Sequence, residues 1–259
     1  MLLRDDERGV LAIGQPSHAW LSGQLARAWG NQRFGRVEPF EEVCLAAEQH
    51  DVGWATRELE PLYNPQTGLP RSFVEVPLDV HLSLWSEAPH LLLAQSRYAA
   101  LLVSMHGWRL YERRDVAKMP SAEAKAVQRF LAEQIALHDR LLGLLRREEA
   151  AVDRASAEMV EHNSLLIWTW DYVSLALCQN WTPACAKGAP TADGTVDIEI
   201  TRESDPRTWR LEPWPFETRS VAVRCEGRRL GRRYDSEQAL RRALEHAPWE
   251  TIELELRPA

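Results

Sequence analysis

The sequence predicts a mainly α-helical protein with a short N-terminal β-hairpin and a small C-terminal α+β lobe. Three observations carry this prediction. Apolar residues recur with the period of amphipathic helices through most of the chain before Thr182. Prolines and glycines between Thr182 and Gly194 interrupt that period. After Gly194, apolar residues alternate with polar ones, which is typical of half-buried strands.

The first elements are the hairpin and two helices. Residues 1–14 contain two apolar runs on either side of the turn Asp5–Gly9. A helix is predicted over Ser17–Trp29, where Ser17 can cap the N-terminus, and a second helix over Glu41–His50. Residues 55–80 hold four prolines and are predicted to be a long irregular segment, which in a compact domain is often functional.

Three further helices are predicted over residues 89–106, 121–148 and 152–179. The region beyond Gly194 is predicted to hold strands at Val196–Ile200 and Val221–Cys225, a turn at residues 226–227, a helix from Ser236 to about His246 and a strand at Thr251–Leu256. We therefore expect two domains, a helical one over residues 1–185 and a small α+β lobe over residues 194–259.

Composition narrows the range of partners and locations. The formal net charge of −7 argues against a protein that coats nucleic acid, which needs a basic face. No apolar run approaches the roughly 20 residues that span a bilayer, and no signal peptide opens the sequence. The four cysteines show no Cys-x-x-Cys spacing. We expect a cytoplasmic protein without a membrane partner; a homodimer is left open.

The dipeptide His50-Asp51 is the most informative pair in the chain. His18 lies upstream of it, and His106 and Asp171 lie downstream. All five residues fall on the apolar side of a predicted helix, where a polar group is costly unless something binds it. A single histidine in such a position is more often a hydrogen-bonded core residue, but a buried aspartate needs a partner for its charge.

Nitrogen and carboxylate donors that converge in one pocket suit a divalent metal ion. We therefore predict His18, His50, Asp51 and Asp171 to be metal ligands. Asp51 is also the predicted catalytic residue, because it is best placed to orient a water molecule. The ion would be manganese, magnesium, iron, cobalt or nickel.

Four further residues complete the predicted site. His81 and His106 would bind a second ion beside Asp51, since both enter the core between the His-Asp pair and Asp171. Trp54 could stack on a planar substrate at the site mouth. Arg97 is a candidate cation for binding the substrate.

His18, His50-Asp51 and Asp171 resemble the signature of the HD superfamily of metal-dependent phosphohydrolases, and Val52-Gly53 is similar to the ending of that motif. The runs Gln15–His18 and Leu102–Gly107 resemble a bacterial branch known only as a domain of unknown function. The resemblance covers about residues 1–185. It implies an all-helical HD-like bundle that hydrolyses a small phosphorylated molecule or a nucleotide.

Two other functions remain open at this point. The HD scaffold also supports di-iron oxygenases, and iron content with oxygen consumption would identify one. The chain could instead be a sensor that binds a metal or nucleotide without turnover. The sequence has neither a P-loop nor a Gly-x-Ser-x-Gly elbow, so it points to no other hydrolase class.

Overall fold

The computed structural model describes residues 1–148 and 153–259. Its α-helices are α1 Gln15–Ala28, α2 Phe40–Gln49, α3 Leu78–Leu92, α4 Arg97–Glu112, α5 Ser121–Leu145, α6 Ala157–Gln179 and α7 Glu237–His246. Its strands are β1 Leu2–Asp6, β2 Gly9–Ile13, β3 Tyr63–Asn64, β4 Leu69–Pro70, β5 Ala184–Thr191, β6 Gly194–Arg202, β7 Thr208–Glu212, β8 Val221–Leu230 and β9 Trp249–Pro258.

The prediction of a mainly α, HD-like bundle is wrong. Seven strands form one curled mixed sheet in the order β1-β2-β8-β9-β7-β6-β5, and the chain is 49% helix and 24% strand. Strand β7 pairs with β9 in parallel, and the other neighbours are antiparallel. Strands β3 and β4 form a separate two-stranded ribbon. The fold is α+β, with the helices packed against a large sheet.

The N-terminal hairpin is confirmed, but it belongs to the large sheet. Strand β2 is buried along its whole length and pairs with β8, so that Ile13 lies opposite Gly227. The turn predicted at residues 226–227 is wrong because β8 continues to Leu230. A Cβ at position 227 would lie 2.9 Å from Leu11 Cδ1, so glycine lets the two strands approach each other.

Ser17 ties the first helix to the same strand. Its hydroxyl donates to the Glu226 carbonyl and accepts from the Glu226 amide, a contact between residues 209 positions apart. Ser17 is therefore not the predicted cap of the first helix. That helix begins at Gln15, after Gly14.

The predicted break between Thr182 and Gly194 contains a strand. β5 is an edge strand, which tolerates Pro190, and a register shift between Ala186 and Ala189 accommodates Gly188 at a φ of +69°. These features remove the alternation that would have predicted a strand. The sheet takes its strands from both ends of the chain, and the division into residues 1–185 and 194–259 stays a prediction.

The helix predicted over residues 89–106 is instead two helices. α3 ends at Leu92, and Ser96 caps α4 by accepting from the Ala99 amide. α4 then runs on to Glu112, well past His106. The helix predicted over residues 121–148 ends at Leu145, and α6 begins at Ala157; the start predicted at residue 152 lies outside the described residues.

The candidate site lies where helices meet beside the sheet. α1 packs on α2, on α6 and on strand β8, while α4 packs on α2, α3, α5 and α6. The helices thus enclose a buried core that continues into the apolar face of the sheet. Among the described residues, no helix combines the length and the apolar composition needed to cross a membrane.

Candidate metal centre

Four helices bring five predicted ligands together, and we call these five residues the metal cluster. α1 supplies His18, α4 supplies His106 and α6 supplies Asp171, while His50 and Asp51 directly follow α2. Their donor atoms form two overlapping groups, each with all atoms within 4.8 Å of one another: His18, His50 and Asp51, and His50, His106 and Asp171.

The tautomer of His18 follows from its hydrogen bonds. The hydroxyl of Ser174 donates its single proton to the Asp171 carbonyl, so Ser174 Oγ must accept from His18 Nδ1 at 2.9 Å. His18 Nε2 then lies 2.6 Å from Asp51 Oδ2. A hydrogen bond at that distance needs a proton on Nε2, and a metal ion bound by Nε2 and the carboxylate would take the place of that proton.

His50 is held in the same way. Its Nδ1 donates to the Ala47 carbonyl at 2.8 Å, which fixes the ring and aims Nε2 at the two aspartates. His50 Nε2 lies 3.3 Å from Asp171 Oδ1 and 3.7 Å from Asp51 Oδ2, yet it makes no well-directed hydrogen bond to either. A metal ion bound by Nε2 and these two carboxylates would therefore satisfy a nitrogen that the described residues leave without a well-directed partner.

The two carboxylates shape the charge of the cluster. Burial alone would lower the pKa of His50, but Asp51 and Asp171 raise it to about 9. Burial alone would raise the pKa of the Asp171 carboxyl, but His50, with His106 and His18, holds it well below its usual range. Without a metal, the cluster therefore keeps a proton on His50 and a negative charge on Asp171.

The residues of the metal cluster differ in their exposure to solvent. Asp171 keeps 14% of its side-chain surface exposed, whereas the His18 and His50 side chains keep 1% each. Asp171 is thus where the cluster opens outward. The distance between His106 Nε2 and Asp171 Oδ2 is 3.6 Å. Burial lowers the pKa of His106 to about 4, so its ring is neutral at pH 7.

His81 belongs to a second group, which we call the tyrosine cluster: His81, Trp85 and Tyr111. His81 Nδ1 is hydrogen-bonded to the Tyr111 hydroxyl, and His81 Nε2 accepts from Trp85 Nε1 at 3.4 Å. Both ring nitrogens are therefore already engaged. The structure does not bring His81 into either group of possible ligands.

Both clusters face one cavity of about 270 Å³. Its polar walls are Gln15, His18, Asp51, His81, His106, Tyr111, Arg114 and Asp171, and its apolar walls are Phe73, Val74, Val76, Leu78, Trp85, Leu110 and Leu175. The predicted irregular segment supplies Phe73, Val74 and Val76. A cavity of this size suits a small ligand with one charged end and one apolar end.

A larger groove of about 1000 Å³ lies elsewhere, along residues 27–30 and 36–42. Charged side chains of both signs line it, and Arg154 Nη1 contacts Glu42 Oε1 at 2.9 Å. It includes none of the metal cluster. The smaller cavity is the better candidate because it is lined by buried nitrogen and oxygen atoms that have no hydrogen-bond partner.

The two predicted substrate-binding residues lie outside the cavity walls. Trp54 is buried, with its ring edge-to-face against His81 at 5.5 Å. Arg97 starts α4 and pairs with Glu148, with 2.5 Å between Nη1 and Oε1. It lies about 13 Å along the helix from His106.

The turn after Asp51 explains how the His-Asp pair is fixed. Val52–Trp54 forms a single helical turn that packs on α3, and a Cβ at position 53 would overlap the Leu84 carbonyl oxygen. Only glycine allows this approach. Gly107 plays a similar part in α4, where a Cβ would lie 3.1 Å from a ring carbon of Trp85.

Sequence reasoning missed Tyr111 and Arg114. The predicted helix ended at His106, so residues beyond it were not placed on the same helix face. The signal was present, because His106, Leu110 and Arg114 follow each other at intervals of four residues and all three line the cavity.

The comparisons with known proteins show a family but no activity. The chain belongs to the family described as a protein of unknown function, DUF3891, whose profile matches residues 1–232. No curated protein and no solved structure matches the chain.

The predicted membership in the HD superfamily is therefore wrong. The matching family is DUF3891, and no HD-domain family is found. An all-helical bundle also has no place for the seven-stranded sheet that the structure contains. The expectation of an all-helical bundle is wrong for the same reason. The match also extends beyond residue 185, through most of the sheet.

Proposed function

We propose that this protein is a metal-dependent phosphohydrolase that acts on a small phosphoester or nucleotide. One observation carries the proposal: two imidazoles, each fixed by a hydrogen bond at Nδ1, aim Nε2 at two carboxylates beside a cavity, the buried Asp51 and the partly exposed Asp171. This is how proteins orient histidines toward a metal ion.

The residues present fit a divalent ion. Asp51 and Asp171 supply two negative charges, which balance the charge of the ion. His50 Nε2 and Asp51 Oδ1 are buried without a hydrogen-bond partner among the described residues, and such atoms are costly unless they bind something. The mixture of nitrogen and oxygen donors favours manganese, iron, cobalt or nickel over magnesium.

The geometry supports one ion. A neutral imidazole nitrogen has a single lone pair, so His50 Nε2 can bind only one metal although it belongs to both groups of donors. His18, His50, Asp51 and Asp171 would hold that ion, and His106 would lie at its edge. A second ion would need further donors, and His81 already uses both nitrogens.

The roles of Asp51 and His106 follow from which of their polar atoms have no hydrogen-bond partner within the protein. When bound, the ion lowers the pKa of water and polarises a phosphoryl oxygen. Asp51 Oδ2 faces His18 Nε2, and Oδ1, which has no hydrogen-bond partner among the described residues, would accept a hydrogen bond from a water molecule in the cavity. His106 stays neutral at pH 7, and the apolar wall excludes bulk water from the substrate.

Elemental analysis of the purified protein, followed by a phosphoester panel with manganese, magnesium, iron, cobalt and nickel, tests the proposal. We expect about one equivalent of metal and metal-dependent release of phosphate, both lost in Asp51→Asn. Asp79→Asn, an exposed carboxylate at the start of α3, is the matched control and should change neither. Metal-free protein that hydrolyses the same esters equally well would contradict the proposal.

The same measurements separate the other functions. Tight metal binding with no turnover of any phosphoester would indicate a sensor. Two equivalents of iron with oxygen consumption would indicate an oxygenase.

A reducing cytoplasm remains the proposed location; in support, Cys178 and Cys225 are free thiols although their sulfur atoms lie 3.6 Å apart.

A further inference from the structure

We propose that Tyr111 and Arg114 form an oxyanion-binding subsite in the same cavity, and that this subsite binds the phosphoryl group of a small phosphomonoester whose organic part is apolar or planar. The inference deepens the proposed function and rests on it. It comes from the hydrogen bonds of the tyrosine cluster, from the free charge of Arg114 and from the apolar walls of the cavity.

The proton of the Tyr111 hydroxyl is directed by its neighbours. Trp85 Nε1–H can only donate, so His81 Nε2, 3.4 Å away, must accept. A neutral His81 then carries its proton on Nδ1 and donates it to Tyr111 Oη. Tyr111 Oη is the acceptor in that bond, which leaves its own proton for another partner.

The ionisation states agree with this arrangement. Burial lowers the pKa of His81 to about 4, so the ring holds one proton at pH 7. Burial raises the pKa of Tyr111 to about 12, so the phenol keeps its proton. Within the described part of the chain, that proton has no acceptor, and Tyr111 lines the cavity. Tyr111 is itself fully buried, with 0% of its surface exposed, so a ligand oxygen reaches this proton only if the cavity wall shifts slightly.

Arg114 supplies the positive charge. Its guanidinium carbon lies 4.3 Å from the centre of the Tyr111 ring, so the two side chains are stacked at the cavity wall. No carboxylate of residues 1–148 or 153–259 pairs with it. Its neighbours differ, because Arg109 pairs with Glu161 and Arg113 approaches Glu112. A planar guanidinium with free donors is suited to bind a phosphoryl group.

The rest of the cavity limits the substrate. The wall formed by Phe73, Val76, Leu78, Leu110 and Leu175 offers no charge to a sugar or a second phosphate. The volume of about 270 Å³ lies near the lower end of ligand pockets, roughly 300–1000 Å³. Cyclic dinucleotides and polynucleotides are therefore too large, and a phosphomonoester with one compact apolar group fits.

Phenylphosphonate, which cannot be hydrolysed as an ester, is a suitable probe. Its binding would be measured by calorimetry to metal-free and to manganese-loaded protein. We expect Arg114→Gln and Tyr111→Phe each to weaken binding at least about tenfold in both forms. Arg113→Gln and Tyr98→Phe, which remove a neighbouring cation and another buried hydroxyl, should change it less than about twofold.

The apolar wall is tested by changing the probe. Phenylphosphonate should bind at least about tenfold more tightly than methylphosphonate, because only the first buries a ring. Thermal unfolding of each variant identifies any that has lost its fold, and Arg114→Gln, which changes an exposed side chain, is the decisive variant.

The outcomes separate this inference from the proposed function. Arg114-dependent binding in a protein that binds no metal would support the subsite and contradict the metal centre. Manganese binding with unchanged phenylphosphonate affinity in Arg114→Gln would overturn the subsite and leave the metal centre standing. Absence of phenylphosphonate binding in both forms of the parent protein would also overturn the subsite.

Discussion

The metal cluster and the tyrosine cluster are both built on buried histidines beside one cavity, but their ring nitrogens have different partners. In the metal cluster, His18 and His50 donate through Nδ1 and aim Nε2 at carboxylates. In the tyrosine cluster, His81 uses one nitrogen to donate and the other to accept. The histidines of both clusters are largely buried, and what distinguishes the proposed ligands from His81 is the set of hydrogen bonds made by the two ring nitrogens.

The largest difference between the two clusters is expected when one histidine is removed from each. His50→Gln should weaken manganese binding about 1,000-fold, because a first-row metal loses one of about four ligands. His81→Gln should weaken it less than about threefold, since glutamine can still accept from Trp85 and donate to Tyr111. Equilibrium titration with a competing chelator measures both. Equal losses in the two variants would place His81 among the ligands.

The pH dependence of stability separates His50 from the buried histidines His81 and His106 without any ligand. The pKa of His50 is about 9 in the folded metal-free protein and about 6.5 when unfolded. Its contribution to stability is fully present below about pH 6.5 and is lost as the pH rises through 9, by about 3 kcal/mol. His81 and His106 act oppositely. Their pKa values of about 4 mean that stability falls as the pH drops from about 6.5 toward 4.

Urea unfolding of metal-free protein at several pH values should therefore show a maximum near pH 6.5. His50→Gln should flatten the alkaline side, while the fall in stability between pH 6.5 and 4 that comes from His81 stays in place. A free energy of unfolding that keeps rising up to pH 9 would contradict the charge assignment of the metal cluster.

A smaller effect is expected from the residue that orients His18. Ser174→Ala removes the acceptor of His18 Nδ1–H and should weaken metal binding by about 10- to 100-fold. Ser104→Ala is the control, because Ser104 is equally buried but bonds to Gln134. Metal affinity that is unchanged in Ser174→Ala would mean that Asp51 alone orients the ring.

The smallest effect concerns a residue that the sequence had suggested for the substrate. Arg97 is paired with Glu148 away from the cavity, so Arg97→Gln should change phenylphosphonate binding less than about twofold. A loss comparable to that of Arg114→Gln would show that the ligand reaches the start of α4.

Sequence patterns located the metal cluster better than they located the fold. His18, His50, His106 and Asp171 lie on apolar rows of single helices, and such a row is visible within about ten residues of sequence. The sheet depends on pairings between distant segments, such as β2 with β8 and β7 with β9. No local period encodes those pairings.

Local signals in the missed strands were also weak. β7 is five residues long, and β5 contains Gly188 and Pro190, which usually mark loops. The tyrosine cluster was missed for a different reason. His81 and Tyr111 are thirty positions apart in the sequence, and only a structure shows which ring nitrogen of His81 is hydrogen-bonded to each neighbour.

The 209-residue separation between Ser17 and Glu226 has a consequence for how the protein is made. At roughly 5–20 residues per second, a ribosome would finish β2 about 10 to 40 s before it finishes β8. During that interval the nascent chain exposes an apolar strand whose hydrogen-bonding edge has no partner. Such an edge favours pairing between nascent chains on the same polysome. Production should therefore depend on chaperones that hold the early chain, and slow elongation should lower the yield of soluble protein.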